Sequence, residues 1–124
     1  MKIDPRFKKG LELFNQGEFF ECHEVIEALW LETPSDDPFR DLYKGVIQAA
    51  AALYQWERGI LSGALGLYKT SIVYLKKYEP EALGLNVWLL LEEMKICFST
   101  LKNTGPKSDA SLNKELIPKL DFNP

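Results

Sequence analysis

The chain has 124 residues, 46% of them hydrophobic and 27% charged, with a net charge of −3, the make-up of one soluble globular domain with a real core. Its Lys and Arg are scattered rather than gathered into one patch, which argues against a nucleic-acid partner. The longest unbroken apolar run, Ala49 to Tyr54, is far short of the roughly 20 residues a bilayer needs, and Met1-Lys2-Ile3-Asp4-Pro5 has no apolar signal region, so a cytoplasmic protein with no membrane partner is expected.

Asp4-Pro5 is a helix cap followed by proline at the first helical position. Phe7, Leu11 and Phe14 recur at helical spacing up to Gly17, which can stop a helix in the left-handed conformation, so the first helix is placed near 5–16. The second is placed at 18–32, with Glu18 and Glu21 in the first turn where the helix dipole favours acids, and Thr33-Pro34 ends it. Ser35-Asp36-Asp37-Pro38 repeats the cap-then-proline signal and opens a third helix near 38–58. That helix is apolar over most of its circumference and carries Ala49-Ala50-Ala51-Ala52, as expected of a central helix with close neighbours. Ser62 is expected to cap a fourth helix at 62–78 with Leu65, Tyr68, Ile72 and Leu75 on its inner face. Glu79-Pro80 breaks it, and one more short helical turn is expected at 80–84. Asn86 caps the fifth helix, which runs in helical period from Val87 to about Lys102. Asn103-Thr104-Gly105-Pro106 ends it, a polar linker follows from Lys107, and Leu116 to Phe122 is expected to lie back on the bundle as an extended strap.

The architecture read from this pattern is all-α: a single compact bundle of about five helices, arranged as two helical hairpins plus a C-terminal helix and an extended tail. Residues 1–104 form the bundle domain and 105–124 the tail, partly packed on it. The glycines that separate the helices of each hairpin, Gly17 and Gly59, are 42 residues apart, which does not match the 34-residue tetratricopeptide period.

Phe14 to Trp30 concentrates the chemistry. Seventeen residues hold the only histidine, four carboxylates, a cysteine and four aromatics. On a helix, Phe19, Cys22, Ile26, Leu29 and Trp30 share one apolar arc, and Phe20, Tyr54 and Trp56 are also expected in the core. His23 and Glu27 stand beside that arc one turn apart, Glu24 lies further round, and Glu21 points away. The spacing does not fit a Glu-x-x-His di-iron bundle, which needs i, i+3 pairs from two helices. The His-Glu-x-x-His zinc pattern fails as well, because Glu27 stands where the second histidine would be. His23 and Glu27 are the residues a metal would use, but with one histidine such a site would be oxygen-rich and weak, and no cofactor is expected. Acid–base use of His23 with Glu27 is chemically sensible, yet no nucleophile motif accompanies it and no catalytic residue is assigned. Cys22 and Cys97 sit in apolar-periodic stretches and read as buried, reduced thiols.

The block Phe14-Asn15-Gln16-Gly17-Glu18-Phe19-Phe20-Glu21-Cys22-His23-Glu24-Val25-Ile26-Glu27-Ala28-Leu29-Trp30 resembles the signature of domain-of-unknown-function family 309. Tyr43-Lys44-Gly45-Val46-Ile47-Gln48-Ala49-Ala50 resembles that family's Gly-Leu-Ile-Gln-x-Ala segment, and Gly59 through Gly63-Ala64 to Leu75 its Gly-x-x-x-Gly-Ala helix. The resemblance covers roughly residues 7 to 102 and implies a small helical bundle with no established activity. It implies a shared polar site at Glu21, His23, Glu24, Glu27 and Gln48. Tyr54 stands where relatives often carry a histidine, which removes a ligand from any metal site common to the family.

The candidate cluster is therefore Glu21, His23, Glu24, Glu27, Gln48 and Tyr54. It admits three readings. One is a structural clasp in which His23 and Glu27 bond across to Lys44, Gln48 or Tyr54. Another is a small-ligand or partner-binding pocket in a non-catalytic interaction module, for an unknown protein partner or a second copy in a homodimer; Tyr68, Tyr74 and Tyr78 of the fourth helix, which cannot all face inward, and Trp88 are the apolar surface such a module is expected to expose. The last is a metal-binding or acid–base enzyme centred on His23 and Glu27.

Overall fold

The computed structural model describes residues 2–104 and 111–123; the Gly105-Pro106 stop and the start of the expected polar linker, 107–110, lie outside them, and the rest of that linker runs into a 3₁₀ turn at Lys114–Leu116. Five α-helices follow one another: α1 (Pro5–Asn15), α2 (Phe19–Glu32), α3 (Arg40–Glu57), α4 (Leu61–Leu75) and α5 (Val87–Thr104). Each of the first three packs on the next, as does α4 on α5, giving the expected all-α bundle. α1 starts where Asp4 accepts a hydrogen bond from the Arg6 amide at 2.8 Å, with proline at the first helical position. It stops at Gly17, whose φ of +80° lets the Glu18 amide reach back to the Leu13 carbonyl at 2.9 Å, as in a Schellman close. Gly59, with φ +79°, does the same after α3.

Two junctions differ from expectation. α4 begins one residue early, capped by Ile60 without a side-chain bond, and Ser62 is an exposed residue of its first turn. The left-handed Gly59 sends the chain straight back into helix, with the Ile60 amide bonded to the Gln55 carbonyl at 2.9 Å, so no serine cap is needed. At the other end α4 tightens into a 3₁₀ turn at Lys76–Tyr78. Where a short helical turn was expected at 80–84, the chain instead forms a minimal antiparallel hairpin, β1 (Glu81–Ala82) and β2 (Leu85–Asn86), with Glu81 opposite Asn86 and Ala82 opposite Leu85. Leu83 (φ 48°) and Gly84 (φ 80°) both sit in the left-handed region, the pattern of a type I′ turn. A helical turn needs negative φ at both.

The core forms where small residues allow backbones together. Ala49, Ala50 and Ala52 of α3 and Ala64 of α4 are fully buried. A Cβ on Gly45 would come within 2.6 Å of the Leu75 side chain, so α4 lies directly against the α3 backbone there. At Gly10 of α1 the same construction would collide with the side chain of Ile26 of α2. Further along, Tyr68 stacks on Phe98 with centroids 4.5 Å apart and Trp56 meets the same ring at 4.9 Å, joining α3, α4 and α5. Lys77 pairs with Asp41, and the Tyr78 hydroxyl donates to the Pro38 carbonyl at 2.7 Å, tying the end of α4 to the start of α3.

The C-terminal segment runs between α1, α5 and the hairpin. Asn15 holds the backbone of Leu120 in both directions: its amide donates to the Leu120 carbonyl at 2.9 Å and its oxygen accepts from the Leu120 N–H at 2.6 Å. Leu120 is buried. Phe122 bridges to Leu85, flanked by bonds from the Asn86 amide to the Asp121 carbonyl and from the Asn123 amide to the Gly84 carbonyl, each 2.8 Å.

Two expectations follow. Gly45→Ala forces a methyl into a fully packed seam and should destabilise the fold by about 1–3 kcal/mol in urea denaturation; an unchanged midpoint would contradict the contact. Arg6 bridges Asp4 (3.1 Å) and Glu32 (2.9 Å), and its hydrogen bonds hold both carboxyls below their ordinary values of 3.8 and 4.5. Carboxyls depressed in the folded state stabilise above their ordinary values and lose that contribution as pH falls through the folded ones. Arg6→Gln should therefore melt earlier than the parent at pH 7, and the gap should close as pH falls below about 4; a gap independent of pH would contradict this.

Candidate functional site

The site is built on the roll of α2. Phe19, Cys22, Ile26 and Leu29 face the core, and Thr33 closes the helix by donating its hydroxyl to the Leu29 carbonyl at 2.7 Å. At about 100° per residue, that buried arc leaves Phe20, Glu24, Glu27 and Leu31 on the opposite side. Phe20 is 41% exposed and Leu31 68%. This corrects the expectation that Phe20 belongs to the core: it shares its neighbour's aromatic character but sits one residue, and so one helical step, away from the buried arc.

His23 and Glu27 are brought together, Nε2 to Oε2 at 3.0 Å, with side chains 31% and 42% exposed. No hydrogen bond from either reaches α3 among the described residues. The contact to α3 is made around them. Phe20 packs on Tyr54 with centroids 5.3 Å apart and lies 6.2 Å from the His23 ring, while the Arg58 guanidinium sits 5.5 Å above Tyr54. One helix-length away, Trp30 receives both Arg40 (4.2 Å) and Lys44 (4.3 Å) over its ring. Phe20 with Tyr54 near one end, and Trp30 with Arg40 and Lys44 near the other, show that α2 and α3 run antiparallel.

Gln48 is half-buried and its Oε1 is shut away from solvent without a hydrogen-bond partner, as are Trp30 Nε1 and Gln55 Oε1. Glu21 and Glu24 are exposed. Glu21 acts on Glu18, whose carboxyl it pushes above the ordinary value through their hydrogen bond and mutual repulsion. The six candidate residues therefore divide: His23 and Glu27 form a pair, Tyr54 adjoins it through Phe20, Gln48 lies within the α2–α3 seam, and Glu21 and Glu24 stand on the outer face. The cations on Trp30 were not anticipated, although Arg40 and Lys44 at i, i+4 on α3 carried the signal.

The thiols are not equipped for nucleophilic chemistry. Burial pushes Cys22 up to about 12 and Cys97 up to about 11, leaving both protonated near neutral pH. Among the described residues no three His, Cys, Asp or Glu side chains group as metal ligands, and no helix is long and apolar enough to cross a membrane. Two clefts of about 310 Å³ lie elsewhere, one beside the β1–β2 hairpin at Asn86 and Asp121 and one between the α1–α2 turn and Ile117; neither includes His23.

Comparison with known proteins bears on the same stretch. The model of a family described as a domain of unknown function, DUF309, matches residues 7–67. The chain is similar to the uncharacterized protein YpuF of Bacillus subtilis (strain 168), 37% identical over 97 residues that make up 77% of this chain and 55% of YpuF. It is also similar to an uncharacterized protein of Aquifex aeolicus (strain VF5), 24% identical over 80 residues, 64% of this chain and 24% of that protein. The chain thus spans about half the length of one of these curated relatives and a quarter of the other. No solved structure matches. The chain belongs to the DUF309 family, and the matched residues, 7–67, run from the first turn of α1 into α4 and take in the whole of α2.

Proposed function

We propose that this protein is a non-catalytic helical interaction module whose recognition element is α2, with the half-exposed His23–Glu27 pair and the Phe20–Tyr54 contact at its edge. The observation that carries the reading is the pair of large apolar side chains on the side of α2 turned from the core, Leu31, which is exposed, and Phe20, which packs one edge on Tyr54 and leaves the rest open; Ile60, Val73, Trp88 and Ile96 are exposed on other elements, without the acids that lie between Phe20 and Leu31. Apolar side chains open to solvent on one helix face, with polar groups between them, offer anchors to a molecule laid along that face. Both cysteines are free and buried, which fits a reducing cytoplasmic setting. The partner is a protein, either a second copy or another chain.

A second reading, acid–base or metal chemistry at His23 and Glu27, is favoured by their 3.0 Å contact, since a carboxylate one turn away orients an imidazole. It asks more of the site than one pair supplies, because a histidine and a single carboxylate leave a metal under-coordinated.

A photo-crosslinking residue placed at Glu24, on the outer face of α2, and in a second variant at Lys69, exposed on α4, separates these in cells. Discrete adducts from position 24, absent from position 69 and lost on Leu31→Ser, are expected. Equal labelling from both positions, or none from position 24, would overturn the proposal. A zinc-dependent rise in melting temperature abolished by His23→Ala, with no adduct at position 24, would favour the second reading.

A further inference from the structure

The outer face of α2 also has a chemistry. At about 100° per residue, Phe20, Glu24, Glu27 and Leu31 fall within an arc of about 60°, and Ala28 and Glu21 widen it to about 120°. Phe20 and Leu31 stand 11 positions apart in the sequence, about 16 Å along the axis at 1.5 Å per residue. Between them lie acids and one alanine. From Glu18 to Glu32 the chain has five carboxylates and neither lysine nor arginine. Arg6 takes Glu32 and His23 takes Glu27. Among the described residues no cation pairs with Glu21 or Glu24, and Glu21 instead crowds the carboxylate of Glu18. The face is thus apolar at its two ends, negative between them, and low in the middle at Ala28.

We infer that this face receives a basic amphipathic helix from a partner protein, whose apolar residues cover Phe20 and Leu31 and whose lysines or arginines meet Glu21 and Glu24. The inference rests on the reading of α2 as the recognition element and names what it recognises. A helix laid along another helix's face reads it through anchors at i, i+3, i+4 and i+7, and a span of about 16 Å asks for roughly three turns. Ala28 lets the partner backbone approach closely, as small residues do at packed helix seams. Charge decides among the occupants. A second copy docked α2 to α2 would set Glu24 against the partner's acids at the same crossing, and like charges facing across an interface cost several kcal/mol. A nucleic-acid backbone or an anionic lipid surface meets the same repulsion. A cationic helix gains from the field that those occupants would oppose.

The test uses the full chain and a synthetic 16-residue peptide with leucines along one helical stripe and lysines beside it, titrated into isotope-labelled protein and followed by amide chemical shifts. Shifts confined to the outer positions of residues 20–31 are expected. Affinity should fall at least tenfold for Glu24→Lys, whose melting curve should match the parent because the residue is exposed beyond the first turn of α2, and it should weaken with added salt. Equal binding of a scrambled peptide of the same composition, shifts centred elsewhere, or no binding would overturn the inference. So would shifts on these residues from phosphatidylcholine vesicles in place of the peptide. Peptide failure with adducts at position 24 intact would remove the basic helix and leave α2 as the recognition element; loss of those adducts would remove both.

Discussion

The contact between Gly10 and Ile26 governs what the rest of the molecule can present. Ile26 lies so close to the α1 backbone that the one hydrogen of Gly10 is all the space permits. Ile26 is thereby seated against α1 at a point where no side chain stands between them, which sets the roll of α2 about its own axis. With Ile26 fixed inward, Phe19, Cys22 and Leu29 follow it into the core, and the 3.6-residue period sends Phe20, Glu24 and Leu31 outward. Gly45 performs the same service between α3 and Leu75, so the seam that carries Tyr54 and Lys44 is held from behind. A surface made of long side chains thus rests on two positions with none.

That arrangement splits the histidine motif into halves with separate duties. The inward half builds the fold, Phe20 lies at the border with one edge on Tyr54, and Glu24 and Leu31 are exposed. His23 and Glu27 stand at the boundary, bonded to each other and half open to solvent. They form neither the buried clasp that the spacing allowed nor a ligand set with a third member among the described residues. Ring contacts near the two ends of the α2–α3 seam, Phe20 on Tyr54 and the cations over Trp30, join the two helices there. Gln48, enclosed with its oxygen unpartnered, belongs to that seam and not to the open face.

Much of this was legible in the chain because local chemistry dictated it. Asp4-Pro5, Gly17, Gly59 and Asn86 mark helix ends by mechanisms that act within four residues, and each lies at a junction. Periodicity placed Ile26 and Leu53 in the core for the same reason. The features that escaped are those decided at a distance or by a residue acting against its preference. Leu83 adopts a left-handed conformation that leucine does not advertise, so the hairpin was read as helix. Asn15 grips Leu120 across 105 positions, and nothing near Asn15 announces it. Phe20 was assigned to the core by its type, although its phase relative to Ile26 already placed it outside. The family's own lack of an assigned activity leaves the physical surface as the guide to function.

The central claim is that the fold depends on one side of α2 and not on the other. Urea denaturation of single variants on the two sides tests it most directly. Ile26→Ala should cost about 2–5 kcal/mol, as large-to-small changes in a filled core do, whereas Leu31→Ala and Glu24→Ala should each stay within about 0.5 kcal/mol of the parent. A loss at Leu31 or Glu24 comparable to that at Ile26 would mean that the outer face is already committed to the fold, and would contradict the account.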